Sequence, residues 1–291
     1  MTFGPGSLLY ESYGDRIGYL VAPRAGLLQL MYPDLGRGVE QHSAFYTEPW
    51  ERLFRSVPQI VGTIFDGHHA QGTADQVREY HRDIKGTHDD GSRYHALDPD
   101  TYFWAHATFV DAAFTTNSLF KLNPLDVYER RAYYLECIEW WQMYGLSMRP
   151  VPPTYDDFLA YWNHMLDDVL EPTPSAVKLV EMMRHPTDMA QPWLPDAVWK
   201  VVATAGMPPY MWVTTATLPP RAREMFGLRW TRADDAAFAV FRRAVAAGWA
   251  VLPDRLTLLP RARAAYRREG RLGLPAARRA VNRQRALKTA A

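Results

Sequence analysis

Arg78, His81 and Lys85 stand at i, i+3 and i+7 in the run Val77-Arg78-Glu79-Tyr80-His81-Arg82-Asp83-Ile84-Lys85. Helical spacing puts all three on one face. A histidine flanked by two cations on one stripe is costly to bury unless something anionic or metallic meets it. A haem meets both demands, with an iron for the imidazole and propionates for the cations. The spacing therefore marks His81 as a metal ligand and Arg78 and Lys85 as propionate partners. A histidine on a polar helix face is the plainer alternative.

The elements that must carry these residues read as helical nearly throughout. A helix is expected over Arg16 to Met31, with a break at Pro23 and Pro33 beyond its end. Gly38 to Ser43 leads into a second, Trp50 to Phe65, with Pro49 in its first turn. A third runs from Asp75 to Lys85, stopped by Gly86, and His88 to Ser92 is a turn. Asp98 caps a helix from Pro99 to about Leu119. Leu125 to Tyr144, Tyr155 to Leu170 and Ser175 to His185 follow. Asp196 to Ala205 should be helical until Met207-Pro208-Pro209 breaks it, and Ala233 to Ala247 and Pro260 to Arg268 complete the set. Strand-like alternation is scarce, so the expected fold is all-α.

The 291 residues suffice for one large domain with a substantial core. Ten tryptophans and sixteen tyrosines suit a pocket for a flat or greasy ligand, and equally suit helical core packing. Tyr133, Tyr134 and Trp141 pose that choice locally, between channel wall and core. The single cysteine, Cys137, excludes a disulfide framework and fits a reducing compartment. No charged start followed by an apolar run opens the chain, and no window approaches a membrane span, so a cytoplasmic protein is expected. A net charge of +1 calls for no nucleic acid. The basic tail, rich in arginine from Arg261 onward, reads as a solvated helix with a frayed end. There is no Gly-x-Gly-x-x-Gly, no His-Glu-x-x-His, no Gly-x-Ser-x-Gly and no pair of Glu-x-x-His helices, which discounts dinucleotide, zincin, hydrolase and di-iron chemistry. His68-His69 beside Gly67 reads as a polar loop rather than a metal site.

Several stretches, in order, carry a resemblance. They are Arg24-Ala25-Gly26-Leu27-Leu28-Gln29-Leu30-Met31-Tyr32-Pro33, Gly38-Val39-Glu40-Gln41-His42-Ser43, Pro49-Trp50-Glu51-Arg52-Leu53-Phe54-Arg55-Ser56 and Val77-Arg78-Glu79-Tyr80-His81. Tyr94-His95-Ala96-Leu97-Asp98-Pro99 with Trp104-Ala105-His106-Ala107 follows, and then Leu218-Pro219-Pro220 to Gly227-Leu228-Arg229-Trp230-Thr231. Together they resemble the latex-clearing-protein/MpaB-type haem oxygenases over roughly residues 10 to 270, long called a domain of unknown function (DUF2236). The resemblance implies an oxygenase domain over residues 1–270 with a basic tail over 271–291. It implies a single large helical domain with a globin-like core holding haem b, and His81 as the proximal ligand. It places Arg52, Arg55 and Ser56 on the distal side as the catalytic set, where the two arginines would polarise an oxygen ligand. Latex-clearing enzymes carry lysine and threonine where this chain has Arg55 and Ser56, and Glu40 is the nearest counterpart of their upstream glutamate.

His106 would line the same pocket or contact a propionate, with a hydrogen-bonded core histidine as the alternative. The resemblance implies O2 or a peroxide as oxidant and an apolar, isoprenoid-like substrate cleaved at a C=C bond. Two other readings stay open: a haem-binding sensor or carrier without turnover, and a haem-free helical protein that binds a hydrophobic ligand.

Overall fold

Capping side chains and first-turn prolines set where most helices begin. The Asp98 carboxylate accepts from Asp100 N, Thr154 from Asp157 N, Thr173 from Ala176 N and Thr231 from Asp234 N. In a computed structural model that describes residues 3–43, 45, 47–189 and 193–273, these signals yield an all-α fold. The order is α1 (Leu8–Tyr13), α2 (Ala22–Leu30), α3 (Pro33–His42), α4 (Pro49–Phe65), α5 (Ala70–Glu79), β1 (Lys85–Thr87), β2 (Arg93–His95), α6 (Pro99–Phe120), α7 (Val127–Gln142), α8 (Tyr155–His164), α9 (Pro174–Arg184), α10 (Asp196–Thr217), α11 (Pro220–Met225), α12 (Arg232–Val251), α13 (Asp254–Thr257) and α14 (Pro260–Arg268).

α6 is the central helix. Its Trp104 indole donates to the Leu28 carbonyl at 2.9 Å and stacks on Trp162 at 5.0 Å. From α7, Trp140 donates to Thr63 on α4 at 2.7 Å. Tyr133, Tyr134 and Trp141 are fully buried in this aromatic core, so core packing and not a channel wall is their role. A buried guanidinium locks three helices. Arg24 on α2 makes a bidentate pair with Asp111 on α6, at 2.7 and 2.9 Å, and donates to the Thr217 carbonyl at the end of α10. Among the described residues no helix is long and apolar enough to cross a membrane.

Three expectations are corrected. The helix expected over Asp75 to Lys85 ends at Glu79, and Lys85 instead opens an antiparallel hairpin in which it faces His95. The hairpin is stitched to α3, because His42 Nε2 meets the Lys85 carbonyl at 3.0 Å and Tyr94 donates to Gln41. α10 runs straight through Pro208 and Pro209. Both prolines are exposed, so water can satisfy the carbonyls that lose their partners, while buried Ala203, Met207 and Val213 hold the helix on its neighbours. Gly38 to His42, expected only to lead into a helix, belong to α3, which opens with Pro33 in its first turn. Most of the basic tail lies outside the described residues, but Arg271 pairs with Glu11 on α1.

Candidate functional site

The end of α5 and the placement of His81 are one event. In a continuing helix the His81 N–H would bond the Val77 carbonyl; it bonds the Arg78 carbonyl instead, at 3.0 Å. The vacated Val77 oxygen is taken by the His81 ring, whose Nδ1 donates to it at 2.7 Å. The imidazole thus satisfies a helix-end carbonyl and is itself held in one orientation. Because a carbonyl only accepts, Nδ1 carries the proton and Nε2 carries the lone pair. Nε2 has no hydrogen-bond partner among the described residues. Burial pushes the imidazole's pKa down, and the nearby Arg52 charge pushes it the same way against the Val77 bond. The ring is therefore neutral at pH 7, the form that ligates a metal.

His81 lines a cavity of about 620 Å³, within the ~300–1,000 Å³ typical of ligand sites. Arg52, Arg55, Ser56 and His106 line the same cavity. The N-terminal half of α4 contributes the first three from one face, while Trp50 packs edge-on against Trp199 of α10 and Phe54 against Trp193. Arg55 and Ser56 are exposed, Arg52 is half-buried over the Phe45 ring, and full burial begins only at Val61. His106 comes from α6 and is 3 % exposed. Its Nε2 donates to the Cys137 carbonyl at 3.1 Å, and its buried Nδ1 has no partner. Burial lowers its pKa to about 4.

Two expected propionate partners are placed elsewhere. Arg78 does not line this cavity among the described residues. Its guanidinium donates to the Tyr144 carbonyl just beyond α7 at 2.9 Å and lies 3.7 Å from Asp75. Lys85 is exposed on the hairpin and borders a separate, shallow depression. The shared face with His81 fails because the helix stops one turn too early. His68 and His69 sit exposed in the loop before α5, and the described residues include no convergence of three His, Cys, Asp or Glu side chains. Sequence reasoning missed Gln29, whose amide donates to Thr108 at 2.8 Å while lining the cavity from α2. A polar residue in the apolar run Leu27 to Leu30 of α2 was the available signal.

A second, smaller chamber of about 280 Å³ adjoins the first and shares with it Gly26, Gln29, Arg52, Ser56, Ile60 and Phe109. The larger cavity is thus bounded by the unpartnered His81 Nε2, by Arg52 and Arg55, and by the smaller chamber.

Comparison with known proteins identifies the family. Two proteins described as uncharacterized, Mb2261 of Mycobacterium bovis and Rv2237 of Mycobacterium tuberculosis, are each 26 % identical over 220 residues, 73 % of this chain and 81 % of theirs. No solved structure matches the chain. The family signature described as ER-bound oxygenase mpaB/B'/rubber oxygenase, catalytic domain, spans residues 10–247, which takes in both cavities' helices from α2 to α6 and every residue placed on them above. The chain therefore belongs to the mpaB/rubber oxygenase family and carries its oxidoreductase catalytic domain.

Proposed function

We propose that this chain is a haem b-dependent oxygenase that uses O2 or a peroxide to oxidise an apolar small molecule, with oxidative cleavage of a C=C bond in an isoprenoid-like substrate as the reaction. The observation that carries the reading is His81. A neutral imidazole, oriented by its own Val77 contact, presents an unpartnered Nε2 at the wall of a cavity of haem-compatible size. The residues present fit that group. A haem asks the protein for one strong axial donor rather than a cluster of ligands, and one is supplied. The orphaned, buried Nδ1 of His106 on the same cavity is a second acceptor waiting for a ligand-borne donor, such as a protonated propionate or a bound water.

When bound, the haem supplies a redox-active iron that activates the oxidant. The protein's part is binding, orientation and electrostatics. His81 would hold the iron through Nε2, with the ring oriented by the Val77 carbonyl. Arg52, whose charge reaches the imidazole, would stabilise negative charge developing on a bound oxidant. Arg55 and Ser56 line the same α4 face and can donate hydrogen bonds there. Phe109 and Ile60 give the substrate a water-poor surface.

A visible absorption spectrum with a pyridine-haemochrome assay tests the reading. The purified protein should show haem that shifts with cyanide or carbon monoxide, and His81→Ala should lose most of it. A protein that stays colourless after haem is supplied, or a His81→Ala variant with full haem, overturns the assignment. The colourless result leaves a helical binder of hydrophobic ligands.

A further inference from the structure

The smaller chamber has a polar end whose donors the fold uses only in part. Thr116 and Asn117, at 8 % and 5 % exposure, line it from α6. The Thr116 hydroxyl makes no hydrogen bond among the described residues, although Thr214 and Thr215 on α10 both bond back to their own helix. Asn117 spends its carbonyl oxygen on the Leu125 N–H at 2.7 Å, and its NH2 has no partner. One turn on, Lys121 lines the same end and pairs with Asp15, which leaves two ammonium protons uncommitted. Polar side chains of buried residues are ordinarily hydrogen-bonded within the fold, so donors left facing a chamber are available to a ligand or water there.

We propose that this chamber binds the substrate as an amphiphile, an apolar chain with an uncharged hydroxyl or carbonyl head held by Thr116, Asn117 and Lys121. The reacting end of the chain then lies at the wall shared with the larger cavity, a placement that rests on the haem reading. Two observations point to the class. Along α6, eight residues separate Phe109 on the shared wall from Asn117, or about 12 Å of rise, and Ala112 and Ala113 between them leave an apolar passage. The head is uncharged because Asp15 already balances Lys121. The Asp15 carboxylate is itself saturated by Trp249 Nε1, Ile17 N and Lys121, so it does not demand a cationic ligand.

The test is a titration of intrinsic tryptophan fluorescence on the purified full chain with three probes of one skeleton: geraniol, the hydrocarbon 2,6-dimethyl-2,6-octadiene and geranic acid. A haemochrome assay is run on the same samples. Geraniol should bind about tenfold more tightly than the hydrocarbon. Thr116→Val, which keeps the shape and removes the hydroxyl, and Lys121→Met should each shrink that preference while leaving hydrocarbon binding in place. Ala113→Phe should block all three probes and leave haem content unchanged. Equal affinity for alcohol and hydrocarbon, or a preference that survives both substitutions, overturns the proposal. Tightest binding of the acid, lost in Lys121→Met, overturns the uncharged head. Haem retained without an alcohol preference sinks this inference alone, whereas an alcohol preference without haem sinks the oxygenase reading and supports the head-group site.

Discussion

At the scale of single residues, two histidines on one cavity are kept neutral by burial and so become acceptors rather than charges. For His106 this has a pH consequence. Its pKa is about 4 in the fold, against the ordinary value of 6.5. Between those values the unfolded chain binds the extra proton and the folded chain does not, so stability rises with pH across that window. Acidification below about pH 6.5 should therefore destabilise the protein, with the loss levelling off below about pH 4. At about 1.4 kcal/mol per pKa unit, the full effect reaches roughly 3 kcal/mol. His81, shifted the same way, adds to it. His106→Gln can still donate to Cys137 but cannot titrate. Its thermal midpoint should fall less steeply than the wild type's from pH 7 to pH 5, and parallel curves would refute the account. Arg52 makes a complementary case. Arg52→Leu should keep haem and lose at least tenfold in kcat, because it removes charge stabilisation and leaves the iron ligand untouched. A variant with unchanged turnover would remove Arg52 from the chemistry.

At the scale of elements, several helix starts were legible, while the ends of α5 and α10 and the start of α3 were not. Asp98-Pro99, Thr154 and Pro49 announce α6, α8 and α4 because capping and proline preferences are local. The end of α5 is not local. No glycine or proline stands at Tyr80, and the helix stops because His81 claims the Val77 carbonyl while the chain turns to pack its hairpin on α3. His81 was thus legible as a candidate, and it lines the cavity, while the face shared with Lys85 was an artefact of extending the period past a tertiary stop. The same limit hid the triad of α2, α6 and α10, since only the fold brings Arg24 to Asp111 and Thr217. Arg24→Met should cost about 3–5 kcal/mol, the range for stranding one partner of a buried pair. The double variant Arg24→Met/Asp111→Leu should recover part of the loss by denaturant titration. A double variant as unstable as the single would show that the pair contributes shape rather than charge balance.

At the scale of the whole molecule, the family signature stops at residue 247, yet the fold does not. α14 packs along α4 and α1: Ala262 and Ala265 are fully buried, Tyr266 stacks on Tyr10 at 5.5 Å, Arg261 pairs with Asp66 at 2.6 Å and Arg268 donates to the Phe65 carbonyl. The contact is close enough that a Cβ on Gly14 would lie 2.4 Å from that of Ala262 and 2.7 Å from the Phe65 ring, so only glycine fits there. These contacts clamp the C-terminal half of α4, whose N-terminal half carries the cavity residues Arg52, Arg55 and Ser56 and is held by Trp50 on Trp199 and Phe54 on Trp193. α14 thus braces the end of α4 that lies away from the cavity. Deleting the chain from Pro260 onward should lower the thermal midpoint by several degrees, as expected from losing several buried contacts in a domain of this size. It should also reduce haem retention although every cavity residue remains. Gly14→Ala should do the same more mildly through the clash with Ala262. A truncated protein with the full midpoint and full haem would show that α4 holds the cavity wall unaided.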